Sequence, residues 1–202
     1  LEKAKGIACD ALILDLEDAV APDAKEVARD AACAAVQSGE YGRKELIIRV
    51  NALGTDWHYP DMMAACKAGP AGILVPKVNS AKEVHDLVRE MERYKTPKHT
   101  KLWAMIETPR SVLDVGRIAA ASDRLAVLVM GTNDLVKELD AQHLPGRIRY
   151  GAAMDVVGVQ NDQPALGRFG KARGGKPKRQ HQHQYPCKNS FHHHLSSLNF
   201  LC

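Results

Sequence analysis

Two carboxylates, each placed just past an apolar run, are the residues best suited to chemistry in this 202-residue chain. Glu107 follows Leu102–Ile106 in KLWAMIETPRS, and Asp134 follows Ala126–Met130 in AVLVMGTNDL. One helix-like stretch separates the two runs. Where strands and helices alternate around a barrel, the ends of neighbouring strands meet on one face, and chemistry collects there. Two carboxylates meeting there suit a hard divalent cation such as Mg2+, with positions left for water and substrate oxygens. A purely structural role is also open: Glu107 as a cap for the helix after Pro109, Asp134 as a cap for the helix LVKEL.

Other charges fall at strand ends too. Arg49 closes the apolar run ELIIRV, and a buried guanidinium needs a partner. Asp15 and Glu17 lie two residues apart, hence on one side of a strand, and either could pair with it. Glu17 and Asp18 end that strand, where a carboxylate can hold a metal-bound water or orient Arg49. A solvated loop position is equally open to Asp18. Lys25 and Arg29 sit one turn apart on the next helix, where a solvated face is the commoner fate, and Lys77 reads as a surface lysine. Gly131 permits close backbone approach to a ligand. Thr132 and Asn133 offer polar groups to a substrate carboxylate, as do backbone N–H groups where the next helix starts.

The elements that must position these residues alternate regularly. ALILDLEDAV gives a buried strand over Ala11–Leu16, and Pro22 precedes a helix over about residues 23–38. ELIIRVN is a strand, 56–68 a helix ended by Gly69-Pro70, and AGILVPK a strand. Ser80 caps a helix running through Tyr94, with Glu83 completing a capping-box pattern. KLWAMIE is a strand, 110–121 a helix, and RLAVLVMG a strand. The strands are continuous apolar runs, as expected where both faces are buried. Five consecutive βα units of one parallel sheet point to an α/β fold of the TIM (β/α)8 type, present here as about five to six units. An open doubly wound sheet is the alternative, weakened because no glycine-rich phosphate loop follows any strand.

After Gly146 the pattern stops. From Arg147 onward nine basic residues face two acidic ones, a net of +7, which leaves −3 for the rest of a chain whose total is +4. The reading is a barrel domain over 1–150 and an atypical basic, His-rich tail over 151–202, disordered from about 164 because it lacks aliphatics to bury. GAAMDVVGVQND holds one short apolar segment. GKARGGK matches a phosphate-loop pattern but has Pro177 where Ser or Thr belongs, and no strand precedes it. The tail histidines and basic run imply no specific metal site and no specific nucleic-acid partner. No apolar run is long enough to span a bilayer. Five scattered cysteines, with no C-x-x-C pair, imply reduced thiols and a cytoplasmic location.

LILDLEDAV, Lys25-x-x-x-Arg29, IRVN, GILVPK, MIET and GTNDL, in that order, resemble the citrate lyase β-subunit-like enzymes of the HpcH/HpaI aldolase group over about residues 1–147. The resemblance implies a TIM barrel using Mg2+ to make or break a carbon–carbon bond beside a CoA thioester. The substrates would be citryl-, malyl- or citramalyl-CoA, cleaved to an acyl-CoA and a keto acid. It places Mg2+ on Glu107 and Asp134 and substrate on Arg49; together with the reading of the residues themselves, substrate contacts extend to Glu107, Thr132 and Asn133, and catalysis is assigned to Arg49 and Glu17. Arg49 would hold the oxyanion of a thioester enolate. It suggests CoA phosphate contact or helix packing for Lys25 and Arg29, and a homotrimer or larger assembly. A class II pyruvate aldolase and a noncatalytic binding fragment are the competing readings. Two departures stand out: the first strand with its CoA-binding loop is missing before Leu1, and the last strands are unrecognisable after Gly146. Truncation or a frame shift is the expectation, and with it doubtful activity.

Overall fold

The computed structural model describes residues 1–141 and the two-residue strand Val157–Gly158. A four-residue helix, α1 (Glu2–Lys5), precedes β1 (Ala11–Asp15). A 3-10 turn at Pro22–Ala24 leads into α2 (Lys25–Ser38), which Gly39 ends with a left-handed φ of 69°. Then come β2 (Glu45–Arg49), α3 (His58–Ala68), β3 (Gly72–Val75) and α4 (Ala81–Arg93). β4 (Lys101–Ile106) is followed by α5 (Pro109–Leu113) and α6 (Val115–Ala119), and β5 (Leu125–Met130) by α7 (Thr132–Glu138). The helix expected over 110–121 is thus two short helices meeting at Asp114.

β1 to β5 pair in chain order, all parallel, as the alternating pattern predicts. The sixth strand, β6 (Val157–Gly158), departs from that pattern. It runs antiparallel to β5, where a complete (β/α)8 barrel would place a parallel strand. Among the described residues β1 pairs only with β2, so the sheet is an arc of a barrel. The tail expected to be disordered from about 164 lies outside the described residues.

Strand alternation divides the apolar residues between two layers. Leu12, Leu14, Ile48, Ile73, Leu102 and Ala104 face the helices and join Ala32, Met62, Leu87 and Met91 in the larger core. Ile13, Ile47, Leu74 and Met105 face the other way, with Ala11, Trp103 and Val129 packed on them. The inner layer is tight. A Cβ at Gly72 would lie 2.6 Å from the Trp103 indole nitrogen, so glycine there makes room for the ring. An extra residue in β5 at the Leu102/Trp103 register shift keeps Val127 and Val129 on the inner side.

Candidate functional site

The site residues are the inward positions at or just past the strand ends. Ile13 leads to Asp15 and Glu17, Ile47 to Arg49, Met105 to Glu107, and Val129 to Gly131. Asp15 and Arg49 are register partners on β1 and β2. All lie at the C-terminal ends of parallel strands, where barrels of this type hold their chemistry.

Arg49 is 6% exposed, and acids surround its guanidinium. Nε donates to Asp15 Oδ1 at 2.7 Å and Nη2 to Asp15 Oδ2 at 2.5 Å. Nη1 lies 3.0 Å from Glu17 Oε2 and 3.5 Å from Asp18 Oδ2. Burial alone would lower the Arg49 pKa. The Asp15 hydrogen bonds and charge, joined by Glu17 and Asp18, outweigh that and raise it. Both expected partners are therefore engaged. Asp15 also accepts from the backbone N–H of Glu17 at 2.8 Å and of Ala19 at 3.2 Å, which shapes the turn after β1. Asp18 is largely exposed, in keeping with a loop position at the rim.

Glu17 faces the same guanidinium, and burial pushes its carboxyl up to about 7. Arg49 and Lys77 oppose the shift, while the Asp18 and Glu107 charges add to it. Such a group changes protonation near neutrality, the range suited to general acid–base work.

Glu107 is almost wholly buried, and its Oε1 accepts from the Lys77 backbone N–H at 2.8 Å. Burial raises its pKa; the Lys77 N–H opposes that, and the Asp134 charge adds to it. Lys77 spans both acids, because its Nζ lies 3.8 Å from Asp134 Oδ2. Its φ of 54°, unusual for a non-glycine residue, turns the N–H toward Glu107. Gly131 lies directly against Glu107: a Cβ there would overlap the carboxylate.

Neither acid is a cap. Thr108 caps α5, accepting from Ser111 N while Ser111 Oγ accepts from Thr108 N. α7 begins at Thr132, which puts Asp134 inside its first turn. Thr132 is half-buried and Asn133 exposed in that turn, and neither makes a side-chain hydrogen bond among the described residues.

Buried Glu107 just past β4 and half-buried Asp134 in the first turn of α7 repel one another and form a donor set that a divalent cation would relieve. Among the described residues no group of three or more His, Cys, Asp or Glu converges as a metal cage. A zinc-type site needs such a cage, whereas Mg2+ is held by one or two carboxylates with waters and substrate oxygens. Glu107 and Asp134 fit Mg2+.

Sequence reasoning missed a buried polar network beneath Arg49, made of Lys25, Asn51, Asp61 and His58. Lys25 is 5% exposed, not solvated, and Arg29 Nε donates to Asp61 Oδ1 at 2.7 Å. The one available signal was the helical spacing of Lys25 and Arg29. Asp61, from a different helix, carried none.

An arc of parallel α/β barrel thus carries Glu107 and the buried Arg49 at its strand ends, with Asp134 in the first turn of α7. The sequence matches the HpcH/HpaI aldolase/citrate lyase family over residues 1–157, and the chain belongs to that family. It is 44% identical over 151 residues to a (3S)-malyl-CoA thioesterase of Cereibacter sphaeroides, covering 73% of this chain and 50% of the relative. It is 36% identical over 141 residues to the citrate lyase β subunit of Escherichia coli, covering 67% and 47%. Among solved structures, protein CitE of Mycobacterium tuberculosis in complex with magnesium, acetoacetate and coenzyme A matches with a TM-score of 0.54 at 30% identity. That match covers 67% of this chain and 45% of CitE. The chain spans about half the length of the curated relatives it matches.

Proposed function

We propose that this chain carries the metal-binding and substrate-gripping part of a Mg2+-dependent carbon–carbon lyase. Its substrate would be the CoA thioester of a hydroxy acid, cleaved to an acyl-CoA and a keto acid. The observation that carries the reading is the convergence of Glu107, Asp134, Glu17 and Arg49 at adjoining strand ends. CitE, solved with magnesium, a keto acid and coenzyme A, supports it.

Glu107 and Asp134 would hold Mg2+, which supplies charge stabilisation to the hydroxy-carboxylate end of the substrate and lowers its hydroxyl pKa. Arg49, clamped by Asp15 on Nε and Nη2, presents Nη1 toward the site. There it can donate to the carbonyl oxygen that gains negative charge as the C–C bond breaks. Glu17, with its carboxyl near 7, is placed to move a proton or to keep Arg49 aimed. Thr132 and Asn133 line the start of α7 as contacts for the substrate carboxylate. In the intact assembly we place the protein in the cytoplasm as a homo-oligomer, a trimer or larger. Among the described residues no helix is long and apolar enough to cross a membrane.

The test is calorimetric titration of Mg2+, alone and with acetyl-CoA and glyoxylate. Glu107→Ala with Asp134→Ala is expected to abolish Mg2+ binding in a folded chain, and unchanged Mg2+ affinity would end the proposal. Hydrolysis of the same thioester is a second reading, favoured by the resemblance to a malyl-CoA thioesterase. Incubation with malyl-CoA separates the two: acetyl-CoA and glyoxylate mark the lyase, whereas free CoA and malate mark the hydrolase.

A further inference from the structure

The Lys25-x-x-x-Arg29 pair has no part in the reaction above, yet Lys25 is buried at the foot of the site. Its Nζ donates to Leu16 O, Glu17 O and Asn51 Oδ1, each at 2.7 Å. An ammonium has three N–H donors, so all are committed and none is left for a phosphate. None of the acceptors is a carboxylate, and a buried cation held by neutral oxygens is costly. Burial accordingly pushes the Lys25 pKa down, against the more distant charges of Asp61, Asp15, Glu17 and Asp18.

What the ammonium ties together is specific. Leu16 and Glu17 supply consecutive carbonyls in the turn leaving β1, and Asn51 stands two residues past Arg49. Asn51 strengthens the link by donating from Nδ2 to Leu16 O at 3.0 Å and to Asp61 Oδ2 at 2.6 Å. The Trp57 ring, 5.2 Å from Nζ, covers the cation.

We propose that Lys25 is a positioning residue: its ammonium locks the turn after β1 onto the segment after β2, so that Glu17 faces the Arg49 guanidinium. The inference rests on the reading of Arg49 as the group that grips the substrate. Glu107 and Asp134 hang from β4 and β5 and do not depend on this clamp.

Lys25→Met in the full chain keeps the aliphatic stem and removes the donors. Mg2+ affinity by calorimetry is expected to stay within about twofold of wild type, because neither Lys25 nor its acceptor atoms hydrogen-bond to Glu107 or Asp134 among the described residues. Affinity for oxaloacetate, measured with Mg2+ present, is expected to fall by about tenfold or more, as a misaimed grip would. Without ligand, amide hydrogen exchange should quicken across residues 16–20 and 49–51 and stay unchanged across β3 and β4. Asn51→Ala removes one acceptor of the three and serves if Lys25→Met does not fold. It should show the same selectivity with a loss of about threefold. Parallel loss of both affinities, or an oxaloacetate affinity left at the wild-type value, overturns the proposal. If wild type binds neither Mg2+ nor oxaloacetate, the proposed function fails by itself. The exchange pattern then decides for Lys25: quickening confined to the two segments supports the clamp, and uniform or absent quickening overturns it.

Discussion

Among individual residues, Glu17 has the clearest thermodynamic signature. In the unfolded chain its carboxyl ionises near the ordinary value of 4.5, and in the fold burial moves it to about 7. Between those values the fold keeps a proton that the unfolded chain has released. Stability therefore declines as pH rises through this window and levels off above it. His58 adds in the same direction. Burial would lower its pKa, but the Glu90 carboxylate 3.4 Å from Nε2, the Asn51 carbonyl and the Asp61 charge together raise it. That stabilisation is full below the ordinary value of 6.5 and is lost as pH climbs through the higher folded value. The metal-free chain is expected to melt about 5 °C higher near pH 5 than near pH 8. Calorimetric melting across that range checks it, and a melting point that climbs toward alkaline pH would contradict the raised values of both groups.

At the scale of elements, close approach between the ends of β4 and β5 builds the acidic pair proposed to hold Mg2+. Gly131, where β5 passes into α7, leaves the space that the Glu107 carboxylate occupies. Gly131→Ala must push one of them away, and Mg2+ affinity is expected to fall by about tenfold or more while the far-ultraviolet circular dichroism stays unchanged. Titration of the variant beside wild type decides. The elements themselves were largely legible. Each strand is a continuous apolar run, and Ser80 caps α4 as the pattern implies, accepting from Glu83 N at 3.3 Å. Glu83 returns its carboxylate to Asn79 N rather than to the cap residue, a one-residue slip invisible in the letters. The break at Asp114 falls beside two weak helix formers, Asp114 and Gly116, which the apolar spacing over 110–121 outweighs in the sequence. Glu107 and Asp134 could be found because strand ends converge in any parallel barrel. The lysine network could not, since its acceptors are two backbone carbonyls and an amide brought in from two separate segments.

At the scale of the molecule, the described sheet is an arc whose β1 edge has no second strand among the described residues. Unpaired edges invite association. Val27 and Tyr59 add exposed apolar surface on α2 and α3. Light scattering is expected to give a mass that is a multiple of one chain and that rises with concentration. A single-chain mass at every concentration would count against the proposed assembly. Asp15, Glu17, Arg49 and Glu107 have one further property in common: they prolong the inward rows begun by Ile13, Ile47 and Met105. Sliding any strand by one place would turn its apolar residues outward and its charged one away from its fellows in the same motion. Errors of assembly in such a scaffold announce themselves twice, because a chain that mispacks its lumen also scatters the charged groups at its rim.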